Sequence, residues 1–256
     1  MTPATTLILP SSDRYGTGSY SLVVEVGKPL DAGTIEALRR VAALIAEAGQ
    51  RGAFPAPGHS PGSSRMKIAY ARQEEHRLLF LSDGEGFDLY AFELFRNMIH
   101  RLLRQGIETR EIRVSDLQRP LITPYRKPEP NDQNEYDAYP SPAHVRFAVE
   151  AEDFIPTKMR RCLVELALPV EAFHVHQIQQ WIAPWFDLIE AGAYALPVGH
   201  ATEVDSLRGD VELFDEQSIE LTVNRFQASE TAWGTLVNML DTCWGDTTLI
   251  SRFMIE

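Results

Sequence analysis

The feature that most constrains the fold is that the chain repeats itself. Leu22-Val-Val-Glu-Val26 is answered by Cys162-Leu-Val-Glu-Leu166, which sets Glu25 against Glu165. Ile45-Ala-Glu-Ala-Gly49 is answered by Leu188-Ile-Glu-Ala-Gly192. Phe95-Arg-Asn-Met-Ile99 is answered by Val237-Asn-Met-Leu240, which sets Asn97 against Asn238. The offsets are 140, 143 and 141 residues. Three short matches in one order at nearly constant spacing point to a tandem duplication. One fold unit, used twice, then has to account for most of the 256 residues.

The breaks in the chain fit that division. Residues 119–143 include Pro120, Pro124, Pro128, Pro130, Pro140 and Pro142, with Asn131, Asp132, Gln133 and Asn134 among them. Proline removes backbone donors and fixes φ, so neither a helix nor an inner strand suits this stretch. It reads as a connector between residues 1–118 and 144–256. A second Pro/Gly/Ser-rich stretch, 52–64, reads as a loop inside the first half.

Periodicity gives the same element order in each half. In the first, 20–26 alternates as a strand. Asp31 offers an N-cap to a helix with Ile35, Leu38, Val41, Ala42 and Ile45 on one face, and Gly49 is its C-cap candidate. Residues 66–71 and 76–81 read as a hairpin around 72–75. Asp88 caps a second helix carrying Phe92, Phe95, Ile99, Leu102 and Leu103, and 109–114 is a last strand. The second half repeats this with a strand at 162–168, a helix near 171–190, a hairpin of 211–214 and 219–225, a helix at 229–242 and a strand at 248–255. Pro184 should kink or split its helix. The order β-α-β-β-α-β is that of the ferredoxin-like split unit. The expected fold is therefore α+β, with two tandem ferredoxin-like units, each an antiparallel sheet with helices on one face. The open faces of the two sheets are expected to pack together or against another chain.

Composition narrows the function classes. Apolar content of 44% and charged content of 23% belong to a globular chain. No apolar run reaches membrane-spanning length. The first 20 residues lack a basic stretch followed by an apolar core, so a cytoplasmic location is expected. Two cysteines exclude a disulfide scaffold and a four-cysteine zinc site. The net charge of −12 argues against non-specific binding to nucleic acid or anionic membranes.

That charge is unevenly shared. Residues 1–128 carry 17 Lys or Arg and 14 Asp or Glu, whereas 129–256 carry 7 and 22. The densest cluster is Glu203, Asp205, Asp210, Glu212, Asp215, Glu216 and Glu220. Arg96, Arg101, Arg104, Arg110, Arg113, Arg119, Arg126 and Lys127 make the end of the first half basic. An acidic surface ordinarily serves solubility, or the two halves answer each other. The sharper expectation is a docking face, because clustered carboxylates attract a cationic partner and raise its on-rate.

The candidate chemical motifs are weak beside their structural readings. His174 and His176 could share a strand face, but the apolar pattern around them is helical, where they diverge by about 200°. A third ligand would have to come from His200 or Asp205, and no metal is expected. The Asp83-Gly-Glu-Gly-Phe-Asp88 segment lacks a calcium-loop pattern and reads as a turn leading into the Asp88 cap. Tyr15-Gly-Thr-Gly-Ser-Tyr20 lacks the lysine of a phosphate loop. There is no Gly-x-Ser-x-Gly, and Cys162 and Cys243 read as small buried residues. Trp181, Trp185, Trp233 and Trp244, all in the second half, read as core or as binding anchors, and with Phe173, Phe186 and Phe214 they could line a ligand cavity.

The expectation is a non-enzymatic inhibitor without a cofactor, of the immunity-protein or antitoxin kind. It would neutralise a basic partner, such as a toxin or an enzyme acting on nucleic acid or nucleotides. Glu203 to Glu220 would steer the encounter, and Trp233 and Trp244 would anchor it. The alternatives are an enzyme or small-molecule sensor with a ligand or metal pocket between the units, and a homodimer formed through the open sheets.

Overall fold

A computed structural model describes residues 5–11, 15–103, 107–119, 124–126, 144–151, 159–194, 210–224 and 231–255. Among these residues, two sheets and four α-helices make up a mixed α+β fold. The first half runs β1 (Thr6–Leu9), β2 (Tyr15–Val26), α1 (Ala32–Gln50), β3 (Arg65–Glu74), β4 (Arg77–Asp88), α2 (Tyr90–Leu103), β5 (Thr109–Asp116) and β6 (Tyr125–Arg126). The second runs β7 (Ala148–Ala151), β8 (Met159–Leu166), α3 (Ala172–Glu190), β9 (Val211–Leu213), β10 (Ser218–Asn224), α4 (Thr231–Asp241) and β11 (Ile250–Ile255). The strand orders are β3-β4-β2-β5-β1-β6 and β7-β11-β8-β10-β9. Thus β-α-β-β-α-β occurs twice, with additional strands at the flanks. Tyr125 and Arg126, inside the expected connector, pair with β1.

Local chemistry starts and stops these elements. The Asp31 side chain accepts the Thr34 amide at 2.9 Å and so caps α1. That bond holds the Asp31 carboxyl below its ordinary range. Helix α1 continues through Gly49, contrary to the expected cap there. A Cβ at Gly49 would come within 2.9 Å of the Met66 carbonyl, so this glycine lets the helix lie close on β3. The left-handed residue is Gly52, with φ +77°, and its structural counterpart is Gly192, with φ +79°. The correct offset for this match is thus 140 rather than 143.

The glycine-rich segment 83–88, expected to be a turn, lies against segment 15–20. Both are paired strand, with Gly16 opposite Phe87 and Gly18 opposite Gly84. A Cβ at Gly16 or Gly84 would meet the Phe87 ring within 2.8 Å, so these glycines make room for a buried aromatic rather than forming a turn. Asp88 behaves as the sequence suggests, accepting the Tyr90 amide at 2.9 Å.

The open sheet faces do not meet. The helices of one half pack on the helices of the other, and the buried side chains of both halves form one apolar cluster. The reason lies in the strand alternation. On β2, Leu22, Val24 and Val26 point to the helices, whereas Ser19, Ser21 and Glu25 point outward. Outward Glu25 and Glu111 pair with Arg77 and Arg113 at 3.4 and 2.9 Å. Such a face is stable in water, while the helix layers are not.

Polar contacts lock the layers with approximate two-fold symmetry, as in an isologous dimer interface. Asn97 Nδ2 on α2 donates to the Ala193 carbonyl at 2.8 Å, and Asn238 Nδ2 on α4 reaches the Ala53 carbonyl at 3.4 Å. Each accepting carbonyl follows one of the two left-handed glycines. Gly52 and Gly192 also lie so close to the opposite half that a Cβ would come within 2.7 Å of Thr242 and 2.6 Å of Arg101.

Arg51 makes the asymmetric contact. Pro184 has no N–H, so the Gln180 carbonyl four residues earlier loses its helical donor. Arg51 Nη1 fills that place, donating to Gln180 O at 2.6 Å and Trp181 O at 2.5 Å. Its guanidinium also lies over the Trp181 ring at 5.2 Å and pairs with Glu47 at 2.5 Å. Helix α3 therefore stays continuous through Pro184.

Two predictions test this interface. Asn97→Ala should cost about 1–2 kcal/mol of stability in urea unfolding, because the Ala193 carbonyl loses its donor. Arg51→Ala should be destabilising in the native background but much less so beside Pro184→Ala, with a coupling of about 1 kcal/mol in a double-mutant cycle. A cycle that closes to zero would contradict the role given to Arg51.

Candidate protein-docking surface

The second half's charge has a definite place. Strands β9 and β10 form a hairpin at one edge of their sheet, with Glu212 directly opposite Glu220. Asp210, Glu212, Asp215 and Glu216 are exposed along β9 and the turn. Asp215 Oδ1 accepts the Gln217 amide at 2.8 Å, which holds the Asp215 carboxyl below its ordinary range. The Glu216 carbonyl accepts the Val170 amide at 2.8 Å, tying the turn to the start of α3. Glu220 is half-buried and pairs with Arg161 at 3.2 Å.

Glu150, Glu165 and Asp241 of this half are answered within the chain. Arg252 joins Glu165 at 2.6 Å and Glu150 at 3.6 Å. Arg146 holds Asp241 at 3.2 Å and also donates to the Asp241 carbonyl. Among the described residues, no ion pair joins Asp210, Glu212, Asp215 or Glu216 to a cation. Glu203 and Asp205 lie outside the described residues.

The structure encloses one of the two tryptophans expected to anchor a partner and leaves the other half-buried. Trp233 is buried between α3 and α4, its ring 5.7 Å from that of Trp185. Trp185 is fully buried and donates to the Ala232 carbonyl at 2.7 Å, while Trp181 donates to Met239 O at 2.8 Å. Trp244 is half-buried beyond the end of α4, with its ring edge-on to His174 at 6.4 Å. The large apolar side chains beside the acids are instead Leu213 and Phe214, 59% and 48% exposed. Phe214, which the sequence offers as a cavity-lining residue, instead stands exposed in a run of acids.

The remaining motifs have structural employment. His174 is buried, and its Nδ1 accepts the Glu171 amide at 2.9 Å as part of a capping box, while His176 is exposed on the same helix. His200 lies outside the described residues. No group of three or more metal-ligating side chains occurs among the described residues. Cys162 is buried, and so is Cys243, whose thiol burial pushes up to about 12 against opposing effects of Gln177 and Arg51. A cleft of about 750 Å³ lies at the end of the first sheet, lined by Glu25, Glu74, Glu75, His76, Arg77 and Arg110. Its lining comes from the first half alone. No described helix is long and apolar enough to cross a membrane.

No protein-family model matches this chain. No curated protein matches it either. Among solved structures it is similar to a dye-decolorizing peroxidase from Bacteroides thetaiotaomicron, at 9% identity and a TM-score of 0.23, over 96% of this chain and 94% of that one. It is also similar to the ferredoxin protease FusC in complex with Arabidopsis ferredoxin, at 10% identity and a TM-score of 0.20, over 89% of this chain and 33% of that one. A conserved protein from Enterococcus faecalis gives 7% identity and a TM-score of 0.18, over 88% and 74%. Likenesses this slight carry neither fold nor function to this chain.

Two measurements follow from the site's chemistry. At pH 8 the native protein should not react with a maleimide at Cys243, and labelling should appear only on unfolding; rapid native labelling would contradict a buried, protonated thiol. Asp215 stabilises the turn as a carboxylate, so its contribution is present above the unfolded value near 4 and is lost as pH falls through the lower folded value. The melting temperatures of wild type and Asp215→Ala should therefore differ at neutral pH and converge on acidification.

Proposed function

We propose that this protein is a non-enzymatic inhibitor of the immunity-protein or antitoxin kind, which neutralises a basic partner enzyme through the β9–β10 hairpin. The observation that carries this reading is the set of exposed carboxylates Asp210, Glu212, Asp215 and Glu216, left without a cation while their neighbours are paired. Exposed carboxylates of one sign raise the local concentration of a cationic partner and speed its approach. Leu213 and Phe214 supply apolar area beside them, which charge alone does not. They take over the anchoring role first given to Trp233. We further read the two halves as tandem ferredoxin-like units, a reading supported by the strand orders β3-β4-β2-β5 and β11-β8-β10-β9.

The test is affinity purification from the native cell at low and high salt, followed by kinetics with the partner recovered. Replacing Asp210, Asp215 and Glu216 by Asn, Asn and Gln should slow association about tenfold at low salt and flatten its salt dependence. An unchanged association rate would refute the steering role, and recovery of no basic protein would refute the function.

A further inference from the structure

We propose that the outer face of the second sheet is selective for arginine, holding a partner's guanidinium between the Phe214 ring and Glu212. This inference rests on the acidic-surface reading above and names the partner chemistry that the surface fits. The alternation of β8 places Cys162 and Val164 against the helices and Arg161, Leu163 and Glu165 on the outer face. On that face the Arg161 guanidinium lies over the Phe214 ring at 4.4 Å and reaches Glu220 at 3.2 Å. The protein thus already holds one guanidinium between an exposed aromatic ring and a carboxylate.

The charge around that contact is not balanced. Among the described residues, the outer face carries Glu150, Glu165, Glu212 and Glu220 against Arg161 and Arg252. Arg252 serves Glu165 and Glu150, and Arg161 serves Glu220. Glu212, directly across the ladder from Glu220, joins no ion pair among the described residues. Like charges in register on neighbouring strands are unfavourable, and a second cation relieves them. The outer face of the first sheet differs, because Arg113 and Arg126 both serve Glu111, at 2.9 and 3.9 Å, and Arg77 serves Glu25. A guanidinium fits the second face better than an ammonium, since it is planar, stacks on aromatic rings and bonds a carboxylate in a bidentate fork.

Titration of the intact protein with nine-residue oligo-arginine and oligo-lysine peptides at one ionic strength tests this. The arginine peptide should bind several-fold more tightly. Phe214→Leu should weaken it about threefold while leaving the lysine peptide unchanged, and Phe214→Tyr should restore the preference. Glu212→Gln should also narrow the difference. Circular dichroism melts of each variant confirm that the exposed substitutions leave the fold intact. Equal affinities in the native protein, or an arginine preference that survives both Phe214→Leu and Glu212→Gln, would overturn the proposal. If that preference holds while the triple Asn/Asn/Gln variant binds both peptides as before, the arginine slot stands and the steering role of the turn falls.

Discussion

The seam between the two helix layers is the constraint on which the rest of the structure depends. Each half alone has helices with apolar residues on more than one side. On α2 nearly every residue from Tyr90 to Ile99 is buried, which no single sheet could achieve. The opposite helices complete the burial, and a few polar groups set how they meet. The Asn97 and Asn238 amides each seek a carbonyl in the other half, and the glycines before those carbonyls allow the close approach. Arg51 repairs in the second half the defect that Pro184 creates there. Buried polar groups of this kind penalise any other register, because a slipped interface would strand them without partners.

Where the sheets lie follows from this seam. With helices meeting helices, both sheets are turned outward, and their outer faces must be compatible with water. The first half meets that requirement with arginine–glutamate pairs across its strands. The second half meets it with carboxylates in excess, concentrated where the short strand β9 ends its sheet. Charged side chains on a short edge also discourage unwanted strand pairing. The same seam thus produces a shared body and an acidic outer surface that no described helix covers, on which the functional reading rests.

Much of this architecture was legible in the residues, and the failures have physical causes. The element order, the Asp31 cap and the matching of Asn97 with Asn238 follow from periodicity, capping chemistry and the repeat. The packing direction did not, because apolar spacing reveals that a helix is buried but not which layer buries each side. For the same reason Trp233 could be read as a surface anchor, although α4 is enclosed by both its sheet and the other half. The short strand Thr6–Leu9 was missed because its parallel partner, Thr109–Asp116, lies about 100 residues away in the chain. Gly84 suggested a turn because composition does not show that Phe87 occupies the space a side chain there would take. Gly49 was matched to Gly192 by local resemblance, whereas backbone conformation pairs Gly192 with Gly52.

If both halves share one core, they must lose it together. All four tryptophans lie in the second half, so their fluorescence reports on that half, whereas far-ultraviolet circular dichroism reports on the helices and strands of both. Urea unfolding followed by the two signals should give coincident transitions with one midpoint. Two separated transitions, with the tryptophan signal changing while half the dichroism persists, would show that the halves are independent bodies and that the helix seam does not organise the molecule.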